Sequence, residues 1–257
     1  MPSTVLVTGA AGGIGKAICQ RLAEDGCSVI AADLSLAAAE GLVASLPADK
    51  RPGQTHQAVA LDVTSEEAVE ALFSRMTVQG TPIDQVVAAA GILLFAPNGE
   101  RPPIIETALS DWELTQRVNS TGTFLCLRAY LRAATGRRIE NGRFIGFASV
   151  AAQLGGYRSS AAYIASKGAV LALLKAGARE AAALGVTVNG VAPGLIDAPM
   201  LRLSLSPEND AAASANIPLN RIGTPEDVAG AVAFLMGKDA SYITGAVIDV
   251  NGGYRMQ

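Results

Sequence analysis

Thr4-Val5-Leu6-Val7-Thr8-Gly9-Ala10-Ala11-Gly12-Gly13-Ile14-Gly15 opens the chain, running from an apolar, β-like stretch into a glycine-rich turn. A helical pattern follows at once, with apolar Ala17, Ile18, Leu22 and Ala23, and it stops at Gly26. Strand, glycine turn and helix in this order form a cradle for a pyrophosphate. Gly9 is expected to make the tight turn, Gly13 to let the main chain approach the phosphates, and Gly15 to let the helix pack closely on the strand. The N-terminus of that helix presents N–H groups and the positive end of its dipole to the anion.

The second apolar run, Ser28 to Ala32, ends at Asp33. A carboxylate there can accept hydrogen bonds from both hydroxyls of an adenosine ribose and would repel a 2′-phosphate. Ala10, Ala11, Gly12 and Leu34 around it are not basic. NAD is therefore expected in preference to NADP. Methyltransferases place glycines and an acid similarly, so these residues alone do not fix the enzyme class.

Outward from this unit the alternation continues. Helical patterns are expected near 35–46, after Thr64 or Ser65 (with Glu66 and Glu67 in the first turn, as the dipole prefers), over 110–134, 159–183 and 225–236. Strands are expected at 56–61, 83–90, 142–149, 186–191 and 246–250. Uncharged apolar strands alternating with helices predict a parallel sheet covered on both faces. The expected fold is one α/β, Rossmann-type, doubly wound domain over 1–257, with about seven strands. The 257 residues are half hydrophobic, enough for a large core, and no linker-like tract interrupts them. The net charge of −3 supplies no basic footprint for nucleic acid. The apolar run 161–178 carries Lys167 and Lys175, so no membrane span or leader is expected. Cys19, Cys27 and Cys126 lack metal-ligand spacing and suit a reducing cytoplasm. The single histidine, His56, is expected to be structural, which removes Ser-His triads and leaves no metal site to predict.

Tyr163 and Lys167 lie four residues apart in a helical stretch, and Ser149 ends an apolar strand upstream. Residues i and i+4 share a helix face, so an ammonium lies beside a phenol. A neighbouring positive charge favours the phenolate, so Lys167 is expected to lower the Tyr163 pKa toward neutrality. The pair could then move a proton on and off an alcohol oxygen.

Taken together, these residues resemble the short-chain dehydrogenase/reductase family over essentially the whole chain. Its Thr-Gly-x-x-x-Gly-x-Gly fingerprint matches Thr8-Gly9 through Gly13-Ile14-Gly15, and its acidic residue after the second strand matches Asp33. Asp62-Val63 matches the adenine-contacting pair, and Val118-Asn119-Ser120-Thr121-Gly122 is similar to the segment carrying the active-site Asn. Ser149, Tyr163 and Lys167 match the other catalytic positions. Asn189 through Pro193-Gly194, Ile243-Thr244-Gly245 and Asn251-Gly252-Gly253 resemble the nicotinamide-side turn and the C-terminal signature. The resemblance implies hydride transfer between nicotinamide and a secondary alcohol or ketone. Tyr163 would be the acid/base and Ser149 the holder of the substrate oxygen. Lys167 would also grip the ribose, and Asn119 would fix a water relaying protons from Lys167. Ala90, Gly91, Pro193, Gly194 and Ile196 would line the cofactor.

Three departures stand out. The family's Asn-Asn-Ala-Gly reads Ala88-Ala89-Ala90-Gly91, which removes side-chain amides that brace the sheet. Ala198 replaces a threonine that holds the carboxamide, leaving backbone groups such as the Ile196 N–H for that task. The loop 93–103, with Asn98-Gly99 and Pro102-Pro103, is longer than usual and reads as a turn-rich flap.

The substrate pocket is expected between this flap, the 150–158 loop and a lid over 199–215. Arg101, Arg158 and Arg202 could bind an anion there. Gln153 and Tyr157 could instead hydrogen-bond a hydroxyl-rich substrate, so a small polyol, sugar or cyclic alcohol is expected. The alternatives are a 3-oxoacyl-thioester (acyl-carrier-protein) reductase and a non-catalytic dinucleotide sensor. Apolar residues around the helices at 110–134 and 159–183 imply a homo-oligomer, a dimer or tetramer.

Overall fold

The computed structural model describes residues 2–48, 50–96, 99–137 and 139–256. Seven strands form one parallel sheet in the order β3-β2-β1-β4-β5-β6-β7. They are β1 (Thr4–Thr8), β2 (Ser28–Asp33), β3 (Gln57–Ala60), β4 (Gln85–Ala88), β5 (Gly142–Phe147), β6 (Val186–Pro193) and β7 (Val247–Val250). The helices are α1 (Gly13–Glu24), α2 (Leu36–Ser45), α3 (Glu66–Val78), α4 (Leu109–Gln116), α5 (Gly122–Ala134), α6 (Val150–Leu154), α7 (Ala161–Ala181), α8 (Pro199–Arg202), α9 (Asp210–Ser214) and α10 (Pro225–Met236). This is the doubly wound order, and the sequence reverses direction between β1 and β4. Ligands of such sheets bind at that switch point, beyond the carboxyl ends of the strands.

The strands are apolar throughout because both faces are covered. Leu6, Ile30, Val86 and Phe144 pack on one face with Leu72 and Phe73 of α3, Tyr130 of α5 and Leu174 of α7. Val5, Val7, Val29, Val87 and Ile145 alternate onto the other, against Ile18 and Leu22 of α1 and Val232 and Leu235 of α10. Period-two alternation thus feeds two cores at once. Removing a ring from such a core, as in Phe144→Ala, costs about 3–5 kcal/mol.

Helix starts follow local chemistry. Ser35, Ser65, Ser149 and Ser160 each accept a bond from a first-turn N–H, and Thr224 with Asp227 completes a capping box before α10. Of the two residues expected to cap α3, Ser65 does so, while Thr64 is held by the Asp62 carboxylate. His56 is structural: Nδ1 accepts from the Val29 N–H at 3.2 Å, and Nε2 faces the Pro47 carbonyl at 3.0 Å. Ala161–Leu184 is long and apolar enough to cross a membrane by length and composition, yet its Val170, Leu174 and Ala178 are buried in the core against the sheet.

The stretch 110–134 is one helical rod, with a difference. Between α4 and α5, Arg117–Thr121 widens into a π turn in which the Gly122 N–H reaches the Arg117 carbonyl. Such bulges are frequent at functional sites, and this one carries Asn119, fully buried.

Candidate active site

The glycine turn is built as its sequence requires. Gly9 sits at φ +63°, and a Cβ on Gly15 would lie 2.1 Å from the Gly9 carbonyl oxygen, so helix and turn touch backbone to backbone. Gly12 caps α1 with no side-chain bond, leaving the first N–H groups of the helix available to an anion. A Cβ at Gly13 would meet Pro199 Cδ at 2.8 Å and Ala198 Cβ at 3.0 Å, so the turn faces the start of the lid. Gly9, Gly13, Ile14, Gly15, Asp33, Asp62, Val63, Ala90 and Gly91 line one cleft, which contains no lysine or arginine among its lining residues. Asp33 Oδ2 accepts from the Ala11 N–H at 3.0 Å, which ties the carboxylate to the turn. These groups fit a dinucleotide: phosphates at α1, a ribose diol at Asp33.

A second, inner cavity of about 170 Å³ adjoins this cleft at Ile14, Ala89, Gly91 and Ala198. Ser149, Tyr163 and Lys167 line it together with Pro193, Gly194 and Ile196. Its other walls are mostly apolar: Leu93, Val150, Ala151, Leu195, Met200 and Leu201, with Arg158, Ser159 and Ser204 as the remaining polar members. Each catalytic candidate arrives by its own element. Ser149 follows β5 and caps α6, Tyr163 starts α7 behind the Ser160 cap, and Lys167 lies one turn on.

The electrostatics correct one expectation. Lys167 Nζ lies 5.7 Å from the centroid of the Tyr163 ring and donates to the Phe147 carbonyl at 2.9 Å. Burial pushes the Lys167 ammonium down to about 8. Burial also raises the Tyr163 phenol, and the Ser149 hydroxyl, hydrogen-bonded to it, pulls it back down. The net shift of the phenol is therefore upward, because desolvation of the phenolate outweighs the groups that favour it. Ser149 is the residue that eases proton loss from Tyr163.

Asn119 is tied by its side chain to the flap and to α7. Its Oδ1 accepts from the Ile92 N–H at 2.8 Å, and Nδ2 donates to the Ile92 carbonyl and to Ser166 Oγ, both at 3.0 Å. Both amide hydrogens are engaged within the protein. The side chain clamps the start of the flap, and with Lys167 it closes on Gly91, where a Cβ would stand 3.3 Å from Asn119 Oδ1 and 3.4 Å from Lys167 Nζ. Ser166, which sequence reasoning missed, follows Tyr163 by three residues and completes this clamp. Thr8 was also missed; its hydroxyl accepts from the Ala90 N–H at 3.2 Å and fixes the alanine-rich turn where amides are absent.

The substrate candidates separate sharply. Arg202 is not an anion receptor, since Asp210 pairs with it through both oxygens at 2.6 and 2.8 Å and Asp197 at 2.8 Å, a strut inside the lid. Arg101 donates to the Gly156 carbonyl at 2.8 Å and ties the flap to the next loop. Gln153 lines neither the inner cavity nor the larger outer one beside it, and Tyr157 lines only the outer of the two. Arg158 lines both. The flap's Asn98 falls outside the described residues. Among the described residues no grouping of His, Cys, Asp and Glu suits a metal.

A family model described as enoyl-(acyl carrier protein) reductase matches residues 9–255. A 3-oxoacyl-acyl-carrier-protein reductase of Vibrio cholerae is 38% identical over 255 residues, covering 98% of this chain and 96% of that protein. The chain belongs to the short-chain dehydrogenase/reductase family. Mouse (3R)-3-hydroxyacyl-CoA dehydrogenase is 37% identical, over 98% of this chain and 95% of its own. A cis-4-hydroxycyclohexanecarboxylate dehydrogenase of Sinomonas cyclohexanicum is 36% identical, over 97% and 95%. The crystal structure of a 3-oxoacyl-acyl-carrier-protein reductase from Brucella melitensis with bound NAD superposes with a TM-score of 0.87, at 32% identity over 99% of this chain and 92% of that one. The protein is thus an oxidoreductase of alcohol and keto groups that uses a nicotinamide dinucleotide.

Proposed function

We propose that the protein is an NAD-dependent dehydrogenase of compact, largely apolar secondary alcohols, or a reductase of the corresponding ketones. The observation that carries this reading is the inner cavity, where the Ser149 hydroxyl, the Tyr163 phenol and Lys167 meet in otherwise mostly apolar walls. Of the polyol, sugar and cyclic alcohol classes, the last suits these walls best, because a hydroxyl-rich ligand buried there would leave polar groups unpaired. A nicotinamide bound in the cleft would supply the acceptor or donor of the hydride. Tyr163 takes the hydroxyl proton in oxidation and returns it in reduction. With substrate bound, the single Ser149 hydroxyl proton turns from the phenol to the substrate oxygen, holding it beside Tyr163 and stabilising its developing negative charge. Lys167 and Asp33 would hold ribose hydroxyls, the N-terminus of α1 would hold the phosphates, and Asp62 and Val63 would border the adenine. Asp33 and the cation-free cleft favour NAD over NADP.

A second reading, a 3-oxoacyl-thioester reductase, has one structural observation in its favour. The outer cavity shares Val150, Ala151, Arg158, Ser159 and Leu195 with the inner one, offering a long acyl chain a path outward. Reduced-nicotinamide absorbance, with NAD and NADP against secondary alcohols and with NADH and NADPH against a 3-oxoacyl thioester, separates the two. Faster turnover of the thioester with NADPH would replace the first reading by the second.

Self-association belongs to the same proposal. Phe124, Leu131 and Leu173 line a surface groove between α5 and α7, a face that a second copy of the chain would cover. The cytoplasm is the compartment that suits such an enzyme.

A further inference from the structure

The three arginines around the pocket differ in what satisfies them. Arg202 is neutralised by two aspartates, and Arg101, which donates to a peptide carbonyl on the neighbouring loop, lines neither the inner nor the outer cavity. Arg158 donates through one nitrogen to the Ser204 carbonyl at 3.2 Å, and no carboxylate pairs with it among the described residues. A guanidinium has five N–H donors, so most of its capacity is unspent. Its position is also singular. Of the three, Arg158 alone lines the inner cavity that holds Ser149 and Tyr163, and with Ser159 it also lines the adjoining outer one. The inner cavity is small, about 170 Å³, and a cavity of roughly 150 Å³ accommodates a benzene ring. A compact ring or short chain fits such walls, and only its outer end would reach the cation.

We infer that Arg158 is a specificity residue for a carboxylate, and that the substrates are hydroxy acids and keto acids: a secondary alcohol or ketone on a compact apolar body bearing one carboxylate. This rests on the dehydrogenase reading above and adds the acid group to it. Arg158 fits the task chemically, since its planar fork can take a carboxylate through two parallel bonds while the Ser204 carbonyl keeps a third donor. It acts on binding and leaves the reacting atoms untouched, so its contribution belongs in KM.

The test compares matched substrates with NAD: cyclohexanol against 4-hydroxycyclohexanecarboxylate, and 2-butanol against 3-hydroxybutyrate. Wild-type enzyme is expected to favour the acid of each pair. Arg158→Ala and Arg158→Gln should raise KM for the acids about 10–100-fold, the loss of a charged hydrogen-bonded contact, with kcat and the neutral alcohols little changed. Arg158→Lys should recover part of the loss. Binding of cyclohexanecarboxylate to the NAD complex of Tyr163→Phe, followed by calorimetry, should weaken to the same extent on adding Arg158→Ala. Equal losses for acids and neutral alcohols, or a wild-type preference for the neutral member, would overturn the carboxylate assignment and leave the dehydrogenase reading standing. Silence toward both members of each pair, with NAD bound, would overturn both.

Discussion

A lysine buried at an active site costs stability, and here the cost can be worked out. Lys167 is 5% exposed, and its ammonium is pushed down from 10.5 to about 8. At ~1.4 kcal/mol per pH unit, that gap amounts to about 3 kcal/mol against the fold at neutral pH. Replacing it by Met keeps the length and apolar stem of the side chain but forfeits its bond to the Phe147 carbonyl, worth roughly 1 kcal/mol. Lys167→Met should therefore stabilise the cofactor-free protein by about 2 kcal/mol, or roughly 4–8 °C in melting temperature for a chain of this size. Because the folded pKa lies below the unfolded one, the folded state holds fewer protons between about 8 and 10.5. Wild-type stability should accordingly rise with pH across that window, and the advantage of the variant should shrink. Thermal melts of both proteins without nicotinamide, at neutral pH and in steps toward pH 10.5, read this directly. A variant that melts at or below wild type at neutral pH, or a gap that stays constant as pH rises, would refute the burial argument.

Other substitutions test the remaining parts of the site. Asp33→Ala should narrow the preference for NAD over NADP, measured as the ratio of kcat/KM values; an unchanged ratio places the discrimination elsewhere. Gly15→Ala should abolish dinucleotide binding in a fluorescence titration, because its methyl would stand 2.1 Å from the Gly9 carbonyl oxygen; near-normal affinity would contradict the backbone contact. Ser149→Ala should displace the acidic limb of the kcat/KM–pH profile for alcohol oxidation upward, since the hydroxyl lowers the pKa of the phenol that must lose its proton; an unmoved limb would deny that role. Arg202→Ala should expose the lid to limited proteolysis between α8 and α9 by removing the strut to Asp197 and Asp210; unchanged cleavage would show the strut to be dispensable.

Much of this architecture is legible in the residues. The glycine turn, the acid ending β2 and the alternation of apolar strands with capped helices are local signals, and a parallel doubly wound sheet follows from them, while the order of its strands is set by long-range pairing. The α7 pair is visible because four-residue spacing fixes a shared helix face. What escapes is whatever depends on partners distant in sequence. Spacing puts Lys167 beside Tyr163, but only packing shows that both are buried, with the ammonium drawn down to about 8 and the phenol raised. Asn119 is conspicuous in its segment, but its three bonds to Ile92 and Ser166 depend on a π turn that the continuous helical pattern conceals. Three loop arginines look alike in sequence; that carboxylates neutralise Arg202, while Arg158 meets only the Ser204 carbonyl among the described residues, becomes evident only once the lid is folded. Ser160 could have been singled out, since a serine just before an alanine-rich helical run is an N-cap signature.

The central claim is that Tyr163 moves the proton while the cavity holds a secondary alcohol against a nicotinamide. Tyr163→Phe tests it most directly, with NAD affinity and alcohol turnover measured on the same preparation. The account predicts unchanged NAD binding and loss of turnover at every pH. Turnover within about tenfold of wild type, well short of the 10²–10⁴-fold that a positioned acid/base contributes, would contradict it.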